Sequence, residues 1–408
     1  MKCLFITSIF SPIHGGSAVV YENICRYAPA NSMCVLAPWR NYQTGEELEG
    51  WRKFDAAAPY TVHRIELLRP QETIARSRWH SLWLFLTIDI PLRYRVWRET
   101  VRIIRSENID VVCIGELVSG SWLGLLAKRW LGCKMINYIH GEEITTVSNY
   151  RFFGRKRRKS LHNNDAIVAV SNFTRQALID LMDVPSEKIE LITNGVDLNK
   201  FQPGSVDPAL VERYGLESKR VLLTVGRLIP RKGFDTTIRA LPTILKRCPN
   251  VHYLIVGSGP YEEELRSLTA SLDVTEHVTF TGRIPDDELA AHYHTSDLFL
   301  MPNRELSDHD TEGFGLVFLE ANACGRAVIG GRAGGVVEAV RDKQNGLLVD
   351  GTKTDEVAAA VIRLLTDDAL RHQIEKQGLQ IARDSSMAIG AQRFYHLCQR
   401  LVRENTTE

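Results

Sequence analysis

Apolar residues gather in short runs along this chain, and the longer stretches between them carry apolar positions at helical spacing. Short runs bounded by turn residues read as strands buried on both faces, and their alternation with amphipathic stretches is the βαβ pattern of a parallel sheet covered by helices. In the first half this predicts strands at Cys3–Ser8, Met33–Ala37, Val62–Glu66, Asp110–Ile114, Lys134–Ile139, Ala166–Val170 and Ile189–Ile192, and helices at Ser17–Tyr27, Leu92–Ser106, Ser121–Trp130, Tyr150–His162 and Asn172–Met182. The pattern stops at Lys200-Phe201-Gln202-Pro203-Gly204, where Pro and Gly break it, and resumes at Arg220. The second half repeats it. Strands are predicted at Arg220–Val225, Val251–Val256, Val278–Thr281, Leu298–Met301, Ala327–Gly330 and Gly346–Val349. Helices are predicted at Phe234–Arg247, Tyr261–Leu272, Pro285–Thr295, Phe314–Ala323, Gly335–Val340 and Asp355–Leu365. Met387–Arg403 reads as a closing amphipathic helix with Phe394, Leu397 and Leu401 on one face. The expected architecture is α/β, with two Rossmann-like parallel-sheet domains, 1–200 and 201–386, and a C-terminal helix, 387–408, returning to the first.

Length and composition agree with this division. A chain of 408 residues exceeds one ordinary core. With 44% hydrophobic and 24% charged residues and a net charge of +1, it has the balance of a globular protein and no global charge for nucleic acid. The richest apolar stretch, Leu82 to Ile90, is too short to span a membrane. The N-terminus reads as a strand without a signal-peptide cleavage site. The eight cysteines are scattered without a Cys-x-x-Cys pair, and Cys3, Cys34, Cys113 and Cys324 sit inside apolar runs. Reduced, buried thiols in a cytoplasmic protein are expected.

Four segments carry chemistry. Ser11-Pro12-Ile13-His14-Gly15-Gly16-Ser17 follows the first strand, and Gly15 and Gly16 let backbone amides approach a ligand where a helix begins. A plain tight turn is the competing reading. Val225-Gly226-Arg227-Leu228-Ile229-Pro230-Arg231-Lys232-Gly233 follows the first strand of the second half and crowds cations where a phosphate could use them. Glu312-Gly313-Phe314-Gly315-Leu316-Val317-Phe318-Leu319-Glu320 places two carboxylates around a glycine-rich turn that opens a helix. The free amides from Gly313 to Val317 suit phosphate and hydroxyl oxygens, and a carboxylate accepts from vicinal hydroxyls. Glu320 lies in an apolar run, where a ligand partner explains it better than solvent. Tyr138-Ile139-His140-Gly141-Glu142-Glu143 ends a predicted strand, which is where open α/β sheets bind ligands, so His140 is a candidate donor to a substrate oxygen.

Together these segments resemble the retaining glycosyltransferases of family 4, which have the GT-B fold of two Rossmann-like domains facing across a cleft. The resemblance rests on Glu312 and Glu320 as the Glu-x7-Glu element, on Gly226-Arg227 with Arg231-Lys232-Gly233, on Thr193-Asn194-Gly195-Val196-Asp197, on Gly257-Ser258-Gly259-Pro260 and on Thr281-Gly282-Arg283. It implies that Arg227 and Lys232 hold a donor diphosphate. Glu320 would bind the ribose. Glu312, with the amides of Gly313, Phe314 and Gly315, would hold the donor sugar. Leu316 and Val317 would give amides to the β-phosphate, and backbone near Arg283 would touch the base. Gly16 with Gly15 would approach from the first domain, and His140 would point at the sugar. The resemblance further implies a UDP-hexose, with GDP-mannose second, transferred to a saccharide or lipid-linked acceptor, as in polysaccharide biosynthesis. In the first domain Gly15-Gly16 is followed by Ser17-Ala18-Val19, without the acidic residue common in relatives.

Cations at the diphosphate make a metal unnecessary, so Asp308-His309-Asp310 is expected to bind none and no cofactor is expected. A nicotinamide oxidoreductase is disfavoured because Gly257-Ser258-Gly259-Pro260-Tyr261-Glu262 lacks the third glycine of the dinucleotide motif. A same-fold epimerase or sugar phosphorylase, and an inactive sugar-binding module, are the alternatives. Arg151-Phe152-Phe153-Gly154-Arg155-Lys156-Arg157-Arg158-Lys159, and Trp79, Trp83, Phe85 and Trp97 among Arg93, Arg95, Arg98 and Arg102, mix cations with aromatics as surfaces on anionic lipid do. Peripheral association with the inner face of a membrane is therefore an expectation alongside an ordinary solvated face.

Overall fold

The computed structural model describes residues 1–13, 15–71, 77–145 and 157–404. Strands β1 (Cys3–Ile6), β2 (Met33–Pro38), β3 (Thr61–Ile65), β4 (Val111–Ile114), β5 (Lys134–Ile139), β6 (Ala166–Ala169) and β7 (Ile189–Leu191) form one sheet in the order β3-β2-β1-β4-β5-β6-β7. Every pairing is parallel, and Cys3 lies level with Met33 on one side and Val111 on the other. Strands β8 (Arg220–Val225), β9 (Val251–Val256), β10 (Val278–Gly282), β11 (Leu298–Met301), β12 (Ala327–Gly331) and β13 (Gly346–Val349) form a second parallel sheet in the order β10-β9-β8-β11-β12-β13. Central strands such as β1, β4, β9 and β11 are buried throughout, which is why they read as unbroken apolar runs. The edge strands β3 and β10 are only half-buried and carry polar residues such as Thr61, His63 and Thr279.

Each sheet is covered on both faces. Val20, Tyr21 and Ile24 pack on one face of the first sheet and Val96, Ile103 and Leu123 on the other. Phe234, Ile238 and Leu241 cover one face of the second sheet, and Phe318, Leu319 and Tyr293 the other. All eight cysteines are free and buried. The chain passes between the sheets twice at one place. The Val196 N–H donates to the Ser385 carbonyl (2.9 Å) and the Met387 N–H to the Val196 carbonyl (3.0 Å). The closing helix Met387–Glu404 then lays Phe394, Leu397, Cys398 and Leu401 into the core of the first sheet, beside Phe5 and Tyr138.

Several boundaries differ from the sequence expectation. A helix at Pro208–Tyr214, capped by the Asp207 carboxylate, lies where no periodicity was read. The long helix Asp368–Asp384 was not expected either. Its buried stripe is Arg371, Ile374, Gly378 and Ala382, so a charge and a glycine stand where an apolar pattern is sought. Gly378 is required there by the close approach of the Asn322 side chain. Asp286 and Asp287 sit in a turn ahead of the helix, which begins at Leu289 and not at Pro285. The expected helix Leu92–Ser106 is the end of a longer helical stretch, Arg78–Glu107, with a π turn at Phe85–Asp89. The expected helix Tyr150–His162 lies partly outside the described residues.

Candidate active site

The strand order reverses beside β1 in one sheet and beside β8 in the other, and an open parallel sheet leaves a crevice at the carboxyl ends of its strands at such a point. The candidate segments lie at those ends. Gly15-Gly16 follows β1, His140 follows β5, Arg227 to Lys232 follow β8, Arg283 follows β10 and Glu312 to Gly315 follow β11.

On the second sheet the chain leaves β8 through a 3₁₀ turn, Pro230–Lys232, that ends at Gly233 with φ +76. The turn aims Lys232 inward. Its Nζ lies 2.5 Å from Glu312 Oε2, and both side chains are largely shielded, at 13% and 14% exposure. Arg231 pairs with Asp310 at 2.7 Å and Arg304 with Asp235 at 3.0 Å. Burial pushes the Glu312 carboxyl up, but the Lys232 and Arg231 charges outweigh it and hold the group below the usual carboxylate value.

Gly315, at φ +90, turns the chain into the helix Leu316–Ala323. The helix therefore starts two residues later than the expected Phe314, which is itself buried in the core, and Glu320 sits little more than one turn inside. Leu316 and Val317 stand at the head of the helix, where no preceding turn exists to take their N–H groups. Glu320 is 8% exposed and accepts a hydrogen bond from the Tyr293 hydroxyl at 2.8 Å. Burial outweighs that bond and pushes its carboxyl up to about 6.

The first sheet contributes a different surface. The His140 ring packs edge-on to Tyr21 at 5.2 Å and against Tyr138 at 5.4 Å. Burial pushes its pKa down to about 4, so the ring is neutral at physiological pH. Its Nε2 is buried with no hydrogen-bond partner among the described residues. Across the crevice, Gly313 approaches the His140 carbonyl so closely that a β-carbon would stand 2.2 Å from that oxygen. Leu316 packs against the cores of both sheets and lies over Gly16.

Residues 208–380 match the family Glycosyl transferases group 1, and residues 14–200 match Glycosyltransferase Family 4. The chain is 34% identical over 370 residues to the GDP-mannose-dependent alpha-(1-6)-phosphatidylinositol monomannoside mannosyltransferase of Mycolicibacterium smegmatis, covering 89% of each chain. The chain is a family 4 glycosyltransferase. It is also 31% identical to the GDP-mannose-dependent monoacylated alpha-(1-6)-phosphatidylinositol monomannoside mannosyltransferase of Corynebacterium glutamicum, over 91% of this chain and 90% of that one. Among solved structures, Anabaena HepE in complex with UDP and glucose superposes with a TM-score of 0.76 at 20% identity, over 98% of this chain and 99% of that one. Sucrose-phosphate synthase from Thermosynechococcus elongatus does so with a TM-score of 0.76 at 21% identity, over 99% and 100%. These likenesses establish the GT-B fold of two parallel-sheet domains.

In this glycosyltransferase the crevice brings together Lys232, Glu312, Gly313, Gly315 and the helix head at Leu316 and Val317, with His140 and Gly16 facing them. Arg227 is exposed and makes no ion pair or hydrogen bond among the described residues. Arg283 lies at the rim, its Nε donating to Ser258 Oγ at 3.0 Å. Asp310 is paired with Arg231, His309 with Glu305 at 2.6 Å, and Asp308 accepts from the Asp310 N–H. The Asp-x-Asp resemblance is thus occupied by intramolecular partners. Two contributors were not legible in the sequence. Tyr293 positions Glu320 from a helix 27 residues away, and only the fold relates them. Gly335, read from the sequence only as the start of a helix, donates its N–H to the Glu312 carbonyl at 2.8 Å.

Proposed function

We propose that this glycosyltransferase moves a mannosyl group from GDP-mannose to a saccharide headgroup on a lipid anchor, with retention and without a metal, at the inner face of a membrane. The observation that carries the reading is the Lys232–Glu312 pair beside a helix head, facing a neutral His140 across the crevice. A departing nucleoside diphosphate gathers negative charge on its phosphate oxygens. Lys232, Arg227 and the amides of Leu316 and Val317 supply fixed positive potential there, which is electrostatic preorganisation and takes the place of a metal. Glu320 receives the ribose hydroxyls. Glu312, with Gly313, Phe314 and Gly315, receives the sugar hydroxyls, and the His140 Nε2 hydrogen donates to another. Backbone at Arg283 borders the base, and Gly15 and Gly16 admit the sugar and phosphate. The bond between the anomeric carbon and the β-phosphate oxygen breaks, and its electron pair stays on that oxygen. The acceptor oxygen bonds to the same carbon, and its proton passes to the departing phosphate.

GDP-mannose is put ahead of UDP-hexose because the two mannosyltransferases named above, which align over about nine-tenths of the chain, are GDP-mannose-dependent by name, whereas the likeness to HepE is one of fold. The lipid acceptor is supported by a ledge on Arg78–Glu107, where Trp79 is 82% and Tyr94 64% exposed, with Trp83, Phe85, Leu86 and Ile88 also exposed, beside exposed Arg93, Arg95 and Arg98. Trp97 instead packs against the core. Of the second basic stretch, Arg157 is buried, Arg158 pairs with Asp183 at 2.9 Å and Lys159 is exposed, while 151–156 lie outside the described residues. No helix of the described residues is long and apolar enough to cross a membrane.

A thermal-shift screen tests the donor. At a concentration of about 100 Kd a ligand of the folded state stabilises by about 2.7 kcal/mol. GDP-mannose should raise Tm more than UDP-glucose or ADP-glucose at equal concentration. A larger shift with UDP-glucose would restore the UDP-hexose reading, and transfer to orthophosphate would favour the phosphorylase alternative.

A further inference from the structure

Glu338 lies on the short helix Val336–Ala339 of the second domain. Its carboxylate reaches the first domain. Oε2 accepts from the Asn172 backbone N–H at 2.9 Å and from Asn172 Nδ2 at 3.0 Å, and Oε1 accepts from the Phe173 N–H at 3.0 Å. These amides open the helix Asn172–Met182, whose third amide, Thr174 N–H, is taken by Ser171 Oγ at 3.0 Å. The first turn of a helix in one domain is thus completed by a carboxylate from the other. A negative charge is favourable there, because the amides are otherwise unpaired and the helix dipole is positive at that end.

Both ends of this contact lead to the reaction site. One turn before Glu338, the Gly335 N–H donates to the Glu312 carbonyl at 2.8 Å, and the Glu338 N–H donates back to the Gly335 carbonyl at 3.1 Å. In the first domain, Thr174 Oγ1 donates to the His140 carbonyl at 3.5 Å, and that carbonyl is the atom against which Gly313 packs. The contacts close a ring: Glu338 to the helix start, Thr174 to His140, His140 to Gly313, and Glu312 through Gly335 back to Glu338. Separation of the domains breaks the ring at two places, the Glu338 carboxylate and the Gly313–His140 contact.

We propose that Glu338 is a positioning residue that holds the two domains together in the reactive arrangement and seats the Glu312–Gly313 loop against His140. It touches neither donor nor acceptor. Its effect is on the fraction of molecules in which the sugar loop and His140 stand together, and therefore on turnover. Free GDP, by contrast, meets Lys232, Arg227 and Glu320, all on the second domain, and needs no closure to do so.

The test compares Glu338→Ala, Glu338→Gln and Asn172→Pro. Proline is well accepted at the first position of a helix, and the Ser171 before it already has the extended backbone that proline requires, so Asn172→Pro removes two of the three donors to Glu338 and leaves the Phe173 N–H and the helix start in place. Hydrogen bonds to a charged group of this kind correspond to roughly ten- to a hundredfold in an equilibrium. Glu338→Ala should lower kcat by about that factor with GDP Kd nearly unchanged, and Glu338→Gln should fall between it and the wild type. Small-angle scattering of the ligand-free Glu338→Ala protein should give a larger radius of gyration than the wild type. Asn172→Pro alone should cost less than Glu338→Ala, because the Phe173 N–H still reaches the carboxylate, and the double variant should be little worse than Glu338→Ala alone, since the donors lost at Asn172 serve the same contact. Unchanged kcat in folded Glu338→Ala overturns the proposal. So does a loss of kcat accompanied by an equal loss of GDP affinity and an unchanged scattering profile, which is what a general structural role would give. The choice of GDP-mannose as substrate rests on the donor proposed above. If the wild type turns over UDP-glucose instead, that donor reading fails and the same comparison is made with UDP-glucose and UDP, while the scattering measurement stands without any donor.

Discussion

The two switch points of this molecule are built on the same topology and hold opposite electrostatics. The second sheet ends in ion pairs, Lys232 with Glu312, Arg231 with Asp310 and Arg304 with Asp235, all largely withdrawn from solvent. The first sheet ends in two glycines and a neutral imidazole packed between tyrosines. The difference assigns the work. A buried cation must be compensated, and in the absence of a donor Glu312 compensates Lys232. In the proposed function an arriving diphosphate would replace that carboxylate and free it for the sugar. On the first side the imidazole offers a hydrogen bond without titrating near neutrality, and the carboxylate next to it, Glu143, is engaged by the His140 backbone N–H at 3.1 Å.

The largest test of this contrast removes the cation. Lys232→Ala is expected to lower kcat by about 10²–10³-fold, the loss associated with one preorganised donor at a charge-developing atom. A folded variant with unchanged kcat would mean that the ion pair is architectural and that the second side has no special claim on the phosphate.

Glu320 sharpens the contrast within the second side. Glu320→Gln removes the charge proposed to receive the ribose, and GDP affinity measured by calorimetry should fall by about ten- to a hundredfold, the equivalent of 1.5–3 kcal/mol. The same residue sets a pH dependence. Its carboxyl is raised from 4.5 to about 6 in the folded protein. The folded form therefore holds the proton more tightly than the unfolded chain. The stability this group contributes is complete below about 4.5 and is lost as pH rises through about 6. Donor binding runs the other way, because the ribose hydroxyls need the ionised acceptor. GDP-mannose, whose diphosphate does not titrate in this range, should bind progressively more weakly below about pH 6, and Glu320→Gln should abolish that dependence. His140, with its pKa near 4, adds no limb of its own near neutrality. An acid limb that survives Glu320→Gln would assign it elsewhere and break the account.

Glu312→Gln should have a smaller and opposite signature. It releases Lys232, so bare GDP should bind as well as before or about two- to threefold more tightly, a few tenths of a kcal/mol. The intact GDP-mannose should bind more weakly because its sugar loses an acceptor. If bare GDP weakens as much as it does in Glu320→Gln, the two carboxylates form one coupled site. The smallest expected effect is that of a chelator. With fixed cations at the diphosphate, EDTA should leave kcat unchanged, and a loss restored by Mg²⁺ or Mn²⁺ would return Asp308 and Asp310 to consideration.

Much of the protein is written locally. Every strand named from the sequence is present among the described residues; the central ones are buried on both faces and must be apolar runs bounded by turn residues, and the half-buried edges β3 and β10 keep enough apolar positions to be read. The closing helix Met387–Glu404 was legible for a similar reason: Phe394, Leu397 and Leu401 repeat at helical spacing. The turn residues around Glu312 and Lys232 were legible because glycine and cations at strand ends have few structural uses. The helix Asp368–Asp384 escaped because its buried face interleaves Arg371 and Gly378 with Ile374 and Ala382, and Gly378 is set by the close approach of Asn322 and not by hydrophobicity. Tertiary structure alone decided that Lys232 and Glu312, 80 residues apart, neutralise one another, that Tyr293 steadies Glu320, and that Glu338 completes a helix 165 residues earlier in the chain. The physical reason is range. Propensity and periodicity report what a residue needs from its near neighbours along the chain. A buried charge or an unpaired helix amide instead takes its partner from whatever the fold delivers to it, and that partner has no fixed spacing to read.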